Sequence, residues 1–441
     1  MRVLLVSRRY YPDVKGGGQI SAHHIAQSLV EAGHAVRVCT FVTEGHRRDE
    51  VLDGVHVTSL PIRTIPFFPR LSNLEWMYSE MRRTADPVVR EFRPDVLHSL
   101  NGESAPAVAS LSKKYGIPYV ITVNGPTLLC FPGEGIDSKG RNCLGCRGWQ
   151  RFRETMLTWG KGGPLRKTRA FLYWLYSYPH MAVFNRALRS ADMLLPGSVD
   201  FKRRLRDIGF RDERLRVVYN PISSQQRVRS SVRHDFHIPA GQGILLYAGR
   251  IAYNKGIDAV IRALPGLPRA HFIIAGRGVF ADACRRLAAE IGVQDRVHFV
   301  GYMDNSELSR YYSAADIVLM AGTFYENFSR MLLEASAYGK PIIAPAIGGN
   351  LDIIEHGRNG YLLHTREPAE IVGYVKDILD HPAKARAMGE YARRKVRSEF
   401  SHERTAEALA CVYEEVLARR ARRNKRPVRT EGVDNHQAQL H

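Results

Sequence analysis

Hydrophobic positions along the chain follow two rhythms. Short apolar runs alternate with longer stretches whose apolar residues recur every three or four positions. "RVLLVS" from Arg2 is a short run of the kind that forms a buried parallel strand. A loop with Pro12, Asp13 and "KGGG" follows, then a helical pattern from Gln19 to Ala32, a stop at Gly33, and the strand "AVRVCT". That is one βαβ unit. "DVLHS" (95–99), "YVITV" (119–123), "DMLLP" (192–196) and "LRVVY" (215–219) read as further strands. Between Ile222 and Ala240 the chain turns polar, with "SSQQRVRSSVRHD", which marks a linker. The alternation then restarts with "GILLYAG" (243–249), "HFIIAG" (271–276), "RVHFVG" (296–301), "DIVLMA" (316–321) and "PIIAPA" (341–346). Interleaved helices make such sheets parallel. The pattern predicts an α/β protein of two facing, doubly wound Rossmann-like domains, residues 1–225 and 226–400. A helix over 401–423 is expected to pack back on the first domain, ahead of a disordered basic and polar tail, 424–441. Ligands of such sheets sit at the carboxyl ends of the strands, here the cleft between the domains.

At 441 residues the chain exceeds one ordinary core, which agrees with two domains. A net charge of +20 and a pI near 9.8 call for an anionic partner. Nucleic acid, anionic lipid and a phosphorylated substrate all satisfy charge alone. The basic residues are spread along the chain without a nucleic-acid recognition motif, so nucleic acid is not expected. Val3–Val6 is too short for a secretory segment and is followed by Arg8 and Arg9, and no window approaches the roughly 20 apolar residues of a spanning helix. The expected place is the cytoplasm, or the inner face of a membrane as a peripheral protein. Two basic, aromatic stretches, 61–78 and Trp149–Tyr178, fit an anionic membrane face or equally helix core with solvated cations. Cys39, Cys284 and Cys411 lie in periodic segments and read as core thiols. Cys130, Cys143 and Cys146 share a glycine-rich loop; the Cys-x2-Cys pair invites zinc but lacks an obvious fourth ligand, so free thiols stay the default.

The second half holds the candidate chemistry. "YAGRIAYNKGID" puts Arg250 just past a strand and Lys255–Gly256 one loop later, two cations suited to a diphosphate, although surface cations give the same pattern. "YENFSRMLLEA" carries Glu326 and Glu334 in an otherwise largely apolar stretch. Ser329 fits an N-cap and Gly339 a helix stop, so Glu326 sits in the preceding loop and Glu334 in the second helical turn. Buried carboxylates need a partner or a task. Amides at the helix start, Arg330, Met331 and Leu332, form an anion site, and the two glutamates could bind sugar hydroxyls. The competing reading is a loop Glu and a helix Glu paired with a neighbouring Arg. Gly348 and Gly349 follow the next strand and allow close backbone approach to a ligand, or make a tight turn.

Together, Arg250 with Lys255–Gly256, Glu-x7-Glu, "GKPIIA" and the paired glycines resemble retaining glycosyltransferases of the GT-B fold, family 4 (glycosyl transferases group 1). The likeness extends to "KGGGQISAHHIAQSLVEAGHAVRVCT", "PDVLHSLN", "VVYNPI", "RVHFVGYMDNSELSRYYSAADIVLMAG" and "FSHERTAEALACVYEEVL". It implies a hexosyltransferase that uses a UDP- or GDP-sugar as co-substrate, requires no cofactor, and acts on a glycan or lipid-linked acceptor in polysaccharide or glycoconjugate synthesis. It implies that Arg250 and Lys255 hold the diphosphate, that Glu334 binds the ribose, and that Glu326 with the Asn327, Phe328 and Ser329 backbone holds the hexose. Gly301 and Tyr302 would border the base, and Gly17 and Gly18 would approach the phosphates. The family commonly has His where this chain has Asn124, which cannot titrate; His98 is the nearby acceptor-side alternative. That departure leaves room for a degenerate scaffold that binds nucleic acid or membrane without catalysis.

Overall fold

The computed structural model describes residues 1–13, 16–63, 75–125, 148–159, 163–223, 225 and 228–424. The first sheet is built from β1 (Arg2–Val6), β2 (Ala35–Val42), β3 (Arg48–Leu52), β4 (Val55–Pro61), β5 (Val96–Ser99), β6 (Tyr119–Val123) and β7 (Met193–Pro196). Their order is β3-β4-β2-β1-β5-β6-β7, parallel except for the β3–β4 pair. That antiparallel pair turns at Asp53–Gly54, both at positive φ (47° and 82°), as a two-residue hairpin demands. The second sheet holds β8 (Gly243–Ala248), β9 (Ala270–Ala275), β10 (Val297–Gly301), β11 (Ile317–Leu319), β12 (Ile342–Pro345) and β13 (Gly360–Leu363), in the order β10-β9-β8-β11-β12-β13, all parallel. In both sheets the order reverses beside the first strand, which opens a crevice at the strands' carboxyl ends.

Alternation along β1 shows why the strands are continuously apolar. Val3 and Leu5 enter one core and Leu4 and Val6 the other, so both faces of the sheet are covered. One of these cores is completed by the helix His402–Asn424, which brings Leu409, Val412, Tyr413 and Val416 against Val3, Leu5 and Val38. The crossing between the halves is clamped where the Ile222 amide donates to the Phe400 carbonyl at 2.9 Å.

Three expectations change. "LRVVY" is no sheet strand: Leu215 makes a single bridge to Leu194, and only the amides of Arg216 and Val218 reach β7. The polar linker contains a short helix, Val232–Asp235, because Val232 is buried in the second core. Cys411 is exposed, on the outer side of its helix, whereas Cys39 and Cys284 are buried. The cysteines Cys130, Cys143 and Cys146, part of the basic stretch 61–78, and residues 425–441 lie outside the described residues.

Candidate active site

The loops after β8, β11 and β12 meet at the mouth of the second sheet, and glycine geometry sets how closely. Gly256 has φ 72°, and a Cβ there would lie 2.1 Å from the Ala321 carbonyl oxygen. The amides of Thr323 and Phe324 both donate to the Asn254 carbonyl, at 3.0 and 3.1 Å. The loop that carries Lys255 is therefore locked onto the loop that carries Glu326. The result is an ion pair in which the Lys255 ammonium donates to Glu326, with the ammonium 4.3 Å from the Phe324 ring centroid. Both side chains are largely buried, 13% and 19% exposed.

Gly348 and Gly349 act on the same loop. Cβ atoms there would lie 2.1 Å from the Glu326 carbonyl oxygen and 2.0 Å from that of Asn327, and the Gly349 amide donates to Glu326 at 2.9 Å. The close approach expected of a ligand is thus made by the chain's own backbone. These glycines position Glu326.

Ser329 precedes the helix Arg330–Ala337, but its hydroxyl makes no capping bond. Tyr338 closes the helix and Gly339 follows at φ 64°. Side chains of Phe328, Met331 and Leu332 are buried in the second core, and Phe328 stacks on Tyr219 at 5.1 Å. At these positions only backbone groups can face a ligand. Glu334 meets a partner on each oxygen: the Tyr312 hydroxyl donates to Oε2 at 2.8 Å, and Arg330 Nε lies 2.9 Å from Oε1 as an ion pair without hydrogen-bond geometry. Tyr312 is fully buried, and its hydroxyl is pushed up by burial and by the adjacent Glu334 charge. The pairing of a helix Glu with a neighbouring Arg is therefore present in the structure. It was visible in the sequence as an i,i+4 spacing. Tyr312, twenty-two positions away, carried no such signal.

Arg330 reaches towards the first domain. Its Nη2 lies 3.1 Å from His24 Nε2, and a Cβ on Gly17 would lie 3.4 Å from Arg330 Cβ. Arg330 Nη1 is buried and has no hydrogen-bond partner among the described residues. Burial first, then the charges of Arg330 and His402, hold His24 down at about 3, so it is neutral beside the guanidinium. Gly17 is thus at the start of the helix Arg330–Ala337, whereas around Gly18 nothing among the described residues lies within 4 Å of a Cβ position.

Arg250 is exposed past the end of β8 and makes no ion pair among the described residues. Tyr247 donates to the Arg250 carbonyl at 2.8 Å. Its hydroxyl is pushed up by burial and then by the Glu326 charge, which sets Arg250 and Glu326 around one buried phenol. Gly301 turns at φ 81°, its carbonyl accepts from Gly276 at 2.7 Å, and Tyr302 is 62% exposed beside it.

The domains touch through the same loop. Asn327 Nδ2 donates to the Val123 carbonyl at 3.0 Å, and Ser198 Oγ lies 3.4 Å from Asn327 Oδ1. The Tyr325 hydroxyl donates to Asp200 at 2.7 Å, and Asp352 accepts from the Val199 amide at 2.7 Å. The Asn327 side chain is therefore committed to the domain contact. Asn124 stands next to Val123: its Nδ2 donates to Leu100 at 2.8 Å, while its buried Oδ1 has no partner among the described residues. His98 is not on the cleft. It is fully buried, with Nδ1 2.8 Å from the Tyr413 hydroxyl and Nε2 2.7 Å from Thr122 Oγ1, and burial holds it down at about 3. It ties the closing helix to the first sheet. Among the described residues no cluster of His, Cys, Asp and Glu could hold a metal ion.

Comparison with known proteins covers both halves. Residues 16–221 match the glycosyl transferase 4-like domain, and residues 228–395 match glycosyl transferases group 1. The glycogen synthase of Mycobacterium tuberculosis is 28% identical, with 97% of each chain covered. Among solved structures, sucrose-phosphate synthase from Thermosynechococcus elongatus superposes with a TM-score of 0.72 at 20% identity, covering 95% of this chain and all 100% of that one. Anabaena HepE in complex with UDP-glucose gives 0.68 at 16% identity, covering 94% and 100%. These structural likenesses bear on the fold.

Proposed function

We propose, for a chain that is a glycosyltransferase of the GT-B type, that it moves a hexose from a UDP- or GDP-sugar to a glycan or lipid-linked acceptor with retention of anomeric configuration. The observation that carries this reading is the Lys255–Glu326 pair beside the start of the helix Arg330–Ala337, with Glu334 one turn further in. Cations and helix amides stand where a diphosphate would develop charge, and two carboxylates stand where hydroxyls would need acceptors.

In this reading Lys255 and Arg250 stabilise the departing β-phosphate. The bond from the anomeric carbon to the phosphate oxygen breaks and the bond to the acceptor oxygen forms on the same face. The acceptor's proton passes to the leaving phosphate, so no side-chain base is needed, which suits an Asn at position 124. The orphaned Asn124 Oδ1 would accept from a donor-hexose hydroxyl. Glu334 would take the ribose and Glu326 the hexose. Likeness along almost the whole chain to a glycogen synthase supports a glycan acceptor, and the HepE complex supports a uridine nucleotide.

The test is a thermal-shift screen with UDP, GDP and ADP and then their sugars, followed by NMR assignment of the product's anomeric centre. One diphosphate and its sugar should raise the melting temperature, and the product should keep the donor's configuration. Absence of any shift at millimolar ligand, or an inverted product, would overturn the proposal.

A further inference from the structure

The helix Pro164–Ser190 presents two opposite faces, and both are apolar. One is ordinary core: Ala170, Ser177, Met181, Phe184 and Leu188 are buried under the first domain. The other carries Leu165, Leu172 and Leu175, with Pro179 and Ala182 continuing the line, and all five are exposed. The three leucines are 84%, 59% and 54% exposed. Positions 165, 172, 175, 179 and 182 fall on one side at helical spacing, about half a turn away from the buried set. The helix Gly148–Trp159 packs on one flank, where Phe152 meets Trp174 at 5.0 Å, and it adds Trp149, 76% exposed and stacked on Phe152. An exposed leucine alone is ordinary, but a contiguous line of them marks a contact surface.

Charge identifies what covers it. From Gly163 to Ala191 the chain has no acidic residue and five cations: Arg166, Lys167, Arg169, Arg186 and Arg189. A second copy of the chain seated face to face would bring the same cations together without a counter-charge, which disfavours self-association. A soluble neutral glycan offers only small C–H faces to the leucines and no charge to the cations. An anionic bilayer meets both requirements, with leucines and Trp149 among the acyl chains and cations at the headgroups. No helix among the described residues is long and apolar enough to cross a membrane, so the contact lies in the interface plane.

We propose that the exposed face of the helix Pro164–Ser190, with Trp149, docks the first domain on an anionic lipid surface. This rests on the surface alone and stands or falls apart from the donor-site reading. The test is flotation of the full chain with vesicles of phosphatidylglycerol mixed into phosphatidylcholine, against vesicles of phosphatidylcholine alone. The wild-type chain should float with the mixed vesicles and stay behind with the neutral ones. Leu172→Gln with Leu175→Gln, and separately Lys167→Gln with Arg169→Gln, should each lower the bound fraction at least about tenfold. Melting temperature and the shift on adding nucleoside diphosphate should stay at the wild-type values, because all four side chains are exposed. Failure to float with anionic vesicles, or leucine variants that float like wild type, would overturn the proposal. So would a concentration-dependent dimer abolished by the leucine substitutions, which would assign the face to a second copy.

Discussion

Lys255→Met separates the two tasks that one ammonium would perform. In the structure it neutralises Glu326, and both side chains are less than one-fifth exposed. In the proposed reaction it meets charge that appears only as the diphosphate leaves. Met keeps most of the aliphatic stem but loses the ammonium's contact with the Phe324 ring. The ground-state loss is a partly buried carboxylate without its cation, about 1–3 kcal/mol. The transition-state loss is larger in rate terms, about 10²–10³ in kcat. Adding Glu326→Gln removes the stranded carboxylate, so the double variant should regain much of the lost stability and none of the lost turnover. Urea midpoints report the first quantity, and nucleoside-diphosphate release at saturating donor reports the second. A folded Lys255→Met enzyme with kcat within a few-fold of wild type refutes the catalytic role. Turnover regained together with stability in the double variant shows that the effect was structural.

Other perturbations follow from the same geometry. Glu334→Gln should weaken the bare nucleoside diphosphate by about 1–3 kcal/mol, the value of a hydrogen bond to a charged group, and calorimetry with the matching diphosphate reads it directly. Glu326→Gln should have the opposite sign: the carboxylate that occupies Lys255 is gone, so bare diphosphate binds equally or more tightly while transfer slows. A weaker diphosphate in that variant contradicts the assignment. Gly349→Ala drives a methyl against the Asn327 carbonyl and should cost about 1–3 kcal/mol along with turnover, whereas Gly18→Ala meets no neighbouring atom of the described residues within 4 Å and should keep its urea midpoint. If Gly18→Ala also keeps full donor affinity, phosphates do not approach there. Finally, His24 and His98 are held at about 3 in the fold, against about 6.5 in the unfolded chain. The unfolded state binds their protons first, so their contribution is complete above pH 6.5 and declines towards pH 3. Urea midpoints should fall between pH 6.5 and 5, before most carboxylates titrate; a flat profile there excludes the assigned burial.

What could be read from the sequence divides along the range of the interactions. Strands covered on both faces announce themselves as apolar runs, so β1, β2, β5–β12 and the two-domain α/β plan were legible. The β3–β4 hairpin was missed although "LDGV" carries an Asp-Gly turn signal, because β3, Arg48–Leu52, is a polar edge strand. "LRVVY" misled for the converse reason: Leu215 and Val218 are buried like strand residues, while its backbone makes a single bridge to β7. At the site, residue types and loop positions were legible because Gly, Lys and Glu occur there in a fixed order. Their partners were not, since Tyr312 on Glu334, His24 on Arg330, and Tyr325 on Asp200 are long-range contacts that leave no periodic trace. His98 shows the limit most plainly. A histidine at a strand's carboxyl end looks like cleft chemistry, and only the helix from the far end of the chain, through Tyr413, shows that it is a core bond.

The two carboxylates of "YENFSRMLLEA" are satisfied before any ligand arrives, Glu326 by Lys255 and Glu334 by Arg330 with Tyr312. That settles why an otherwise apolar stretch tolerates them, and it constrains how a donor would enter. A diphosphate that engages Lys255 must take the ammonium from Glu326, and a stranded carboxylate at 19% exposure is unfavourable. Under the proposed function, hexose hydroxyls would relieve it. Binding of the diphosphate half would then carry a penalty that only the sugar half removes, so the intact nucleotide sugar is favoured over its own product. The product left after such a transfer would lack those hydroxyls, and the returning Lys255–Glu326 pair would help to expel it. Under the proposed function Glu334 would carry no such exchange, because neither Tyr312 nor the Arg330 guanidinium is assigned to the diphosphate, and both can remain in place while an outer lone pair takes a ribose hydroxyl. The opposite signs expected for Glu326→Gln and Glu334→Gln are the direct consequence of that difference in partners.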